Sequence, residues 1–595
     1  MQLTTLDWSF IAAFFVLSLV IGLVVSKRSG ESASEYFLSG RTMPWWLLGF
    51  SMVATTFSAD TPNLVTDIVR KNGVSGNWTW WAFLLTGMLT VFVYAKLWRR
   101  SGVLTDLEFY ELRYSGKPAA FLRGFRALYL GVFFNVMIMA TVSLAAIKIG
   151  GVLLGLTPVQ TILIASVVTV IYTSLGGLTG VIWTDFFQFI VAMIGVVGAA
   201  IVVVDLPQVG GLTNLLSHPN VVPKLSVLPD FNDMNALLPF LILPLAIQWW
   251  SVWYPGAEPG GGGYIAQRML SAKNETHAIT ATLFFNFVHY ALRPWPWIIV
   301  ALASLIVFPD LASLKTAFPN LPDNVINDDL AYPAMMTFLP SGLLGLVVAA
   351  LIAAYMSTIA THLNWGASYV VNDFYKRFVR PEAGDKELVN IGRVSTVFLM
   401  VFSALVALAL SNALQGFNIL LQIGAGTGLI FILRWFWWRI SAWSEISAMV
   451  ISFVVACYFE FSETAKVLPS HEKLIYGVAI TTVGWILVTF FTRPSSQEVL
   501  LNFYKLIKPH PAGWQAVIQP ALKSGDLKPS EVAAGKLPLE LACMIAGCFL
   551  VYGALFGIGF WVYGETTKAL AGLGITIVSG LILYKSWSQV KGSDD

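Results

Sequence analysis

Charged residues are scarce in this chain: they make up 12% of its 595 residues, whereas soluble domains carry roughly 25%. A soluble protein of this length would be divided into several domains with polar linkers, and the shortage of charge argues against that class. Cysteine is also scarce. Only Cys457, Cys543 and Cys548 occur, all inside apolar blocks, which argues against a disulfide framework or a cysteine metal site. The net charge of +3 is too small to indicate a nucleic-acid partner.

Catalytic and nucleotide-binding motifs are missing as well. The six histidines are scattered and form no H-E-x-x-H motif, and no nucleophile–base pair or metal cluster suited to an intramembrane enzyme is visible. The chain has no Walker A motif, which argues against direct coupling to ATP. We therefore predict that the protein is not an enzyme and has no organic cofactor.

Long apolar blocks are what the chain has instead. Residues 9–25 carry no charge and are long enough to cross most of a hydrocarbon core of about 30 Å. Similar blocks are centred near residues 55, 88, 138, 167, 193, 246, 293, 355, 401, 427, 452, 483, 551 and 577. The pattern predicts an all-α membrane protein with about fifteen transmembrane helices.

The basic residues predict the orientation of these helices. If the N-terminus lies outside and each block crosses once, most of the 36 Lys and Arg residues fall in loops that face the cytoplasm, as the positive-inside rule requires. The C-terminus is then cytoplasmic, and we expect a multi-pass protein of the plasma (inner) membrane. The polar stretch 492–538 is predicted to be a cytoplasmic loop with short interfacial helices, and the insertion 309–339 to be extracellular.

Two of the predicted spans are interrupted. The second span reads WWLLGFSMVATTFSADTPNLVTDIV and is rich in hydroxyls, and the seventh reads LAIQWWSVWYPGAEPGGGGYIAQRM, whose prolines and glycines cannot continue a helix. If the first span is set aside, these broken helices are the first members of two successive groups of five, which is typical of inverted-repeat transporters. We therefore divide the chain into a leading helix with its linker (1–43), two five-helix repeats (44–205 and 206–440) and four trailing helices (441–595).

The ninth span indicates a cation site. Four small residues lie on one helix face, at positions i, i+3, i+4 and i+7: Ala354, Ser357, Thr358 and Thr361. Hydroxyl oxygens suit a hard monovalent cation, and carbonyls freed in the broken second span, near Ala54 and Phe57, would complete its shell. A stripe of small residues also serves close helix packing, and that alternative stays open on the stripe alone.

Several segments resemble the sodium/solute symporter family, which includes the sodium/glucose and sodium/proline cotransporters. The resemblance is carried by EYFLSGRTMPWWLLGFSMVATTFSADTP at 35–62, by YTSLGGLTGVIWTDFFQ at 172–188, by AQRMLSAKNETHA at 266–278 and by AAYMSTIATHLNWGASYVVNDFY at 353–375. The second of these matches the family signature GG-x-x-x-V-x-W-T-D-x-x-Q. The likeness extends over roughly residues 8–440, and the last four spans match only in number and hydropathy.

The resemblance implies a LeuT-type core of ten helices after one leading helix. It also implies a sodium site formed by the main chain of Ala54, Phe57 and Ala354 and by the hydroxyls of Ser357 and Thr358. Asp185 matches a family aspartate on the inner sodium path that serves a second sodium in some members. This chain keeps Thr361 there but has Ala360 where those members have another hydroxyl, so a second sodium site stays undecided.

The solute is expected at the midplane between the two broken helices. Asp60 and Thr61 lie in the first break and Glu258 in the second, while His289 and Gln422 align with positions that contact sugar in sugar-transporting relatives. Arg293 puts a guanidinium near mid-membrane, where a charge is costly unless it is paired or functional. Two interpretations of Arg293 stay open: it binds an anionic solute, or it pairs with Glu258 or Asp60 as a structural bridge.

The sequence therefore predicts a sodium-coupled secondary active symporter that imports a small organic solute, a sugar, amino acid or carboxylate, by alternating access. Its partners are the solute, the sodium ion and the lipid bilayer, and its oligomeric state is open. One rival is coupling to protons through Asp60, Asp185 or Glu258. Another is a solute sensor or channel on the same scaffold.

Overall fold

The computed structural model describes residues 3–56, 58–252, 258–319, 326–409, 424 and 426–592. The described chain is helical, and its only β-type pairing is an isolated parallel bridge between Met43 and Ala272. Eleven helical segments in the described residues are long and apolar enough to cross a membrane. The all-α membrane class is thereby confirmed.

Seven of these segments precede residue 410. We call them α1 (Thr5–Ser29), α4 (Val74–Ser101), α5 (Gly116–Leu154), α6 (Pro158–Val204), α9 (Glu275–Val307), α10 (Leu343–Val379) and α11 (Asp385–Ala409). Four of the shorter helices between them bear on the site: α2 (Trp45–Thr55), α3 (Thr61–Asn72), α7 (Met234–Ala246) and α8 (Gly263–Ser271).

The C-terminal part continues with α12 (Ala442–Phe461), α13 (Ser470–Phe491), α14 (Gln497–Ile507), α15 (Gln515–Ser524), α16 (Leu537–Val562) and α17 (Thr566–Val590). The predicted blocks near residues 55, 167 and 246 correspond to shorter apolar helices, Trp45–Thr55, Pro158–Ile171 and Met234–Ala246. Much of the block near 427 lies outside the described residues. The count of about fifteen spans stays a prediction.

Helix α6 holds two predicted spans in one element of 47 residues. It begins at a capping box between Thr157 and Gln160, with Pro158 at its first position, where a missing N–H costs nothing. It bends at Gly177, which has a φ of +54°, a conformation that glycine adopts without the steric cost that other residues incur. A Cβ at that position would lie 2.7 Å from the carbonyl oxygen of Tyr36. The bend therefore depends on glycine both for its conformation and for its space.

The leading helix α1 is fastened to α10. The Asp7 carboxylate accepts hydrogen bonds from the main-chain N–H groups of Gly342 and Gly345, at 2.7 and 2.8 Å. These donors belong to the first turn of α10, which has no partners for them within the helix. The helix with the predicted cation face is thus capped by a residue of the leading helix, which the prediction places outside the ten-helix core.

The segment 492–538 forms α14 and α15 and packs against the protein. Phe503 and Trp514 are fully buried and stack with ring centroids 5.4 Å apart. Trp514 Nε1 donates to the carbonyl of Trp435 at 3.0 Å. The predicted short helices therefore place aromatic side chains against the bundle.

Candidate ion and solute site

The first broken helix is interrupted where the sequence predicts. Helix α2 ends at Thr55 and α3 begins at Thr61, with Asp60 at the N-cap position and Pro62 in the first turn. Phe57 lies between them, outside the described residues. A helix end leaves carbonyls without partners in the helix. The end of α2 therefore presents main-chain oxygens in the protein interior, where Ala54 and Thr55 are buried.

Helix α10 meets this end of α2 with the face that the sequence predicts. Ala354, Ser357 and Thr358 are all buried, at 2%, 0% and 2% exposure. The Thr358 hydroxyl donates to the carbonyl of Thr55 at 3.1 Å. The predicted hydroxyl ligands therefore lie beside the freed carbonyls of the first break, next to Ala54.

Asp185 lies on α6 behind the same face. Its carboxylate accepts from the hydroxyl of Ser357 at 2.6 Å and from that of Ser51 at 2.5 Å. Asp185 is fully buried. The aspartate that the sequence places on an inner sodium path is thus directly bonded to a predicted sodium ligand.

Arg268 supplies the positive charge for this cluster. Its Nη2 lies 3.6 Å from Asp185 Oδ2 and donates to Thr361 Oγ1 at 2.7 Å. Its Nε donates to Ser51 Oγ at 3.2 Å. Because Arg268 belongs to α8, it ties the second broken helix to the first.

Sequence reasoning missed Arg268, although the segment AQRMLSAKNETHA contains it. A signal was available, because an arginine five residues after a glycine run in a predicted span needs a partner. Asp185, a buried acid on another span, needed one too. Interpreting the two as a pair would have identified Arg268.

Arg293, on α9, also binds the end of α2 at the first break. Its guanidinium donates to the carbonyl oxygens of Val53 at 2.9 Å and Thr56 at 3.1 Å. Its Nη2 is 2.7 Å from His289 Nδ1, and its charge lies over the Trp297 ring at 5.1 Å. Arg293 therefore binds main-chain oxygens that the break has freed.

Glu258 is held elsewhere. Arg126 of α5 donates through Nη2 to Glu258 Oε1, and both residues are buried. The described partner of Glu258 is therefore Arg126. Both interpretations of Arg293, binding of an anionic solute or a bridge to Glu258 or Asp60, stay predictions. The structure brings His289 to the first break, leaves Asp60 and Thr61 half-buried in it, and separates Glu258 from that set by its pairing.

The second broken helix stops at Ala246 on one side and resumes at Gly263 on the other. Residues 253–257, and Gln422 on the predicted eleventh span, lie outside the described residues. The Gly263 N–H at the start of α8 donates to Asp106 Oδ2 at 2.8 Å. Burial, and then the charge of Glu258, raise the pKa of Asp106 to about 6.

The first break offers neutral oxygen atoms. Two of them belong to hydroxyl groups that already donate their protons to acceptors within the protein. A hydroxyl has one proton to donate and two lone pairs. Ser357 and Thr358 direct their protons to Asp185 and Thr55, so each keeps lone pairs for another partner. Such an arrangement suits a hard cation of low charge and supplies no nucleophile.

Known proteins resemble this chain over most of its length. The profile of the sodium:solute symporter family matches residues 36–452. The sodium/glucose cotransporter of Vibrio parahaemolyticus is 26% identical over 498 residues, which cover 81% of this chain and 89% of the relative. The sodium/myo-inositol cotransporter 2 of Oryctolagus cuniculus is 26% identical over 545 residues, covering 83% and 78%.

A solved structure has the same fold. A Na+-coupled sialic acid symporter, in a substrate-bound outward-open state, aligns with a TM-score of 0.67 and 20% identity over 83% of this chain and all of its own. The family profile spans well over half of the chain. This chain therefore belongs to the sodium:solute symporter family and is a multi-pass membrane transporter rather than an enzyme.

Proposed function

We propose that the protein is a secondary active symporter that uses sodium entry to import a small organic solute by alternating access. The proposed core consists of two inverted five-helix repeats, 44–205 and 206–440, after a leading helix. The observation that carries the proposal is the meeting of the α2 carbonyl end with the hydroxyl face of α10, at hydrogen-bond distance between Thr358 and Thr55. Broken helices in matching positions are how such transporters make ion sites at the midplane.

The proposed sodium ligands are the carbonyls of Ala54, Phe57 and Ala354 and the hydroxyls of Ser357 and Thr358. The Ser357 hydroxyl donates its proton to the Asp185 carboxylate, so its lone pairs are free to face the ion. Groups behind metal ligands commonly orient them in this way. Arg268 balances the charge of Asp185. We propose that Asp185 and Thr361 also line the path by which sodium leaves toward the cytoplasm.

The driving force is adequate for concentrative uptake. One sodium ion moving inward gains about 2.3 kcal/mol per 100 mV of membrane potential. A tenfold sodium gradient adds about 1.4 kcal/mol. Together these support solute accumulation on the order of several hundredfold at one sodium per solute.

Sugars and cyclitols are the first solute class to test, because the similar cotransporters are named for glucose and myo-inositol. We propose Asp60, Thr61, His289 and Gln422 as solute contacts around the first break. Arg293 already donates to two carbonyls, which favours a neutral solute over a carboxylate. A carboxylate that displaced these carbonyls would be the second candidate.

The proposed orientation has the N-terminus outside and the C-terminus in the cytoplasm of the cell, in the plasma membrane. Two contacts support its internal consistency. The Tyr563 hydroxyl, between α16 and α17, donates to the carbonyl of Leu225 at 3.0 Å. Both residues lie in loops that this orientation places outside the cell. Arg100 binds Glu275 at 2.9 Å and the carbonyl of Ile507 at 2.7 Å, and all three were assigned to the cytoplasmic side.

The test is uptake into proteoliposomes that contain the purified full-length chain. Labelled sugars, cyclitols, amino acids and organic acids are offered under an inward sodium gradient, under a potassium gradient and under a proton gradient. We expect one class to accumulate with sodium only. Ser357→Ala should raise the sodium concentration for half-maximal uptake at least about tenfold. Ser368→Ala should leave it unchanged, because the described hydrogen bond of the buried Ser368 hydroxyl, on the same helix, is to the carbonyl of Trp365.

Other outcomes decide between the alternatives. Accumulation driven by a proton gradient and indifferent to sodium would replace the sodium mechanism by proton coupling. Binding of a solute, seen as thermal stabilisation, without any accumulation would favour a sensor.

A further inference from the structure

A cluster of buried charges ties the second broken helix to two distant parts of the chain. Arg126 of α5 donates to Glu258, and its Nη1 lies 3.8 Å from Glu445 Oε2 on α12. The three residues are 4%, 4% and 1% exposed. We call Arg126, Glu258 and Glu445 the inner latch. In the proposed orientation, Arg126 and the neighbouring Arg113 and Arg434 belong to segments on the cytoplasmic side.

A second layer fixes the carboxylate of Glu445. The Tyr114 hydroxyl donates to Glu445 Oε1 at 2.6 Å, and Arg434 Nη1 lies 3.6 Å from the same oxygen. The guanidinium groups of Arg126 and Arg434 each lie over the Phe431 ring at 4.9 Å. Charged groups buried in this way are stable only while all partners stay together.

The backbone next to Glu258 fits closely against the bundle. Gly260 and Gly261 have φ of +86° and +92°, which favours glycine. A Cβ on Gly261 would lie 2.5 Å from the Cε atom of Met269. The indole N–H of Trp98 donates to the carbonyl of Gly260 at 2.9 Å. The segment that carries Glu258 therefore packs closely against α4 and α8.

Phe503 of α14 and Trp514, just before α15, pack on an arginine next to the latch. Arg113 donates to the carbonyl of Arg434 at 2.9 Å, and its guanidinium lies 5.4 Å from the Phe503 ring and 4.8 Å from the Trp514 ring. Arg113 is fully buried. The segment 492–538 thus closes over the arginines that surround Glu445.

We propose that the inner latch holds the cytoplasmic side of the transporter closed, and that it separates when the second broken helix moves to release solute inward. The latch joins the first proposed repeat through Arg126, the second through Glu258 and the trailing helices through Glu445. A motion that carries the start of α8 away from α5 would separate Arg126 from Glu258. Helix α12 and its cover then belong to the gate, although they lie outside the ten-helix core.

This inference rests on the proposed alternating access, but its test does not require the solute. Amide hydrogen exchange is measured on the purified full-length protein in sodium-free detergent solution, for the wild type, Glu258→Gln and Glu445→Gln. Local opening speeds exchange in the segment that opens. We expect residues 258–271 to exchange at least about tenfold faster in both variants, with the rest of the bundle unchanged.

Glu540→Gln is the matched control. Glu540 is a nearly buried acid that binds Lys96 on the same side of the protein, but it lies outside the latch. Its replacement should leave exchange in 258–271 at the wild-type rate. Equal acceleration in all three variants would overturn the proposal, as would unchanged exchange in Glu258→Gln and Glu445→Gln.

If Glu258→Gln accelerates exchange everywhere because the fold is lost, Arg126→Lys decides. Lysine keeps the charge but cannot bridge two carboxylates with a rigid fork. Faster exchange confined to 258–271 would support the latch, and exchange at the wild-type rate would overturn it. In proteoliposomes, the latch variants should lose concentrative uptake while keeping solute exchange. Absence of any sodium-driven uptake in the wild type would refute the proposed symport and leave the exchange result to judge the latch.

Discussion

The two broken helices differ in which groups bind the polar atoms at the interruption. At the first break, main-chain carbonyls are freed and are met by side chains that donate: Thr358 to Thr55 and Arg293 to Val53 and Thr56. At the second break, the described contacts are dominated by the Glu258 carboxylate and its arginine. Neutral oxygens bind a cation without titrating, whereas an ion pair between distant helices holds them together. The difference suggests that the first break binds the ion and the second controls access.

Replacing Arg268 is the strongest test of this difference between the two breaks. Arg268 belongs to the second broken helix but binds residues at the first. Arg268→Met should leave the buried Asp185 charge without its partner, at a cost of about 3–5 kcal/mol. We expect a large fall in the thermal unfolding midpoint and no uptake. The double variant Arg268→Met with Asp185→Asn should recover much of the midpoint but not the sodium dependence. Equal loss in both would show that the arginine acts through packing and not through charge.

Arg293 tests whether the first break needs its carbonyls held. Arg293→Gln removes hydrogen bonds from a charged donor to Val53 and Thr56, each worth about 1.5–3 kcal/mol. Because the glutamine amide can keep one of the two bonds, we expect a loss of about 2 kcal/mol in stability and a rise in the sodium concentration for half-maximal uptake. The measurement is thermal unfolding together with sodium titration of uptake. An unchanged sodium requirement would mean that Arg293 serves only the fold.

Ser357 sharpens the ion-binding half of the comparison. Ser357→Ala removes one proposed ligand and leaves the other, Thr358, with its bond to Thr55. We expect at least a tenfold higher sodium requirement, which is about 1.4 kcal/mol. Stability without sodium should fall by roughly 1.5 kcal/mol or more, because the buried Asp185 carboxylate loses a hydrogen bond. Sodium titration of uptake measures it, with Ser368→Ala alongside. A variant with wild-type sodium dependence would remove Ser357 from the site.

Asp106 gives the smallest effect, at the second break. Its pKa is raised to about 6 from an ordinary value near 4, so the folded protein binds more protons than the unfolded chain in that range. Stability therefore rises as pH falls from above the folded value near 6 toward the unfolded value near 4. Asp106→Asn should reduce this pH dependence of the unfolding midpoint. A variant with the same pH dependence as the wild type would contradict the burial argument.

The sequence predicted the helical membrane class and the position of the first break, because apolar length and the run from Ser51 to Pro62 are local signals. It also predicted that Ser357 and Thr358 share a face, since that follows from helical spacing. It could not pair Arg268 with Asp185 or Arg126 with Glu258. Those contacts join residues 83 and 132 positions apart, and local patterns carry no information about which buried acid an arginine meets. The pairing of Arg293 with main-chain oxygens was missed for the same reason.

The cap that Asp7 provides has a consequence for how the chain is made. Asp7 binds the amide of Gly342, which is 335 residues further along the chain. At a synthesis rate of about 5–20 residues per second, the leading helix waits on the order of half a minute in the membrane before its partner emerges. During that time its buried face must stay available, so the order of insertion, and any factor that shields α1 meanwhile, should influence how much transporter matures. Asp7→Asn would then lower the yield of assembled protein more than it slows transport by the molecules that do assemble, which pulse-chase labelling set against uptake per folded molecule would measure.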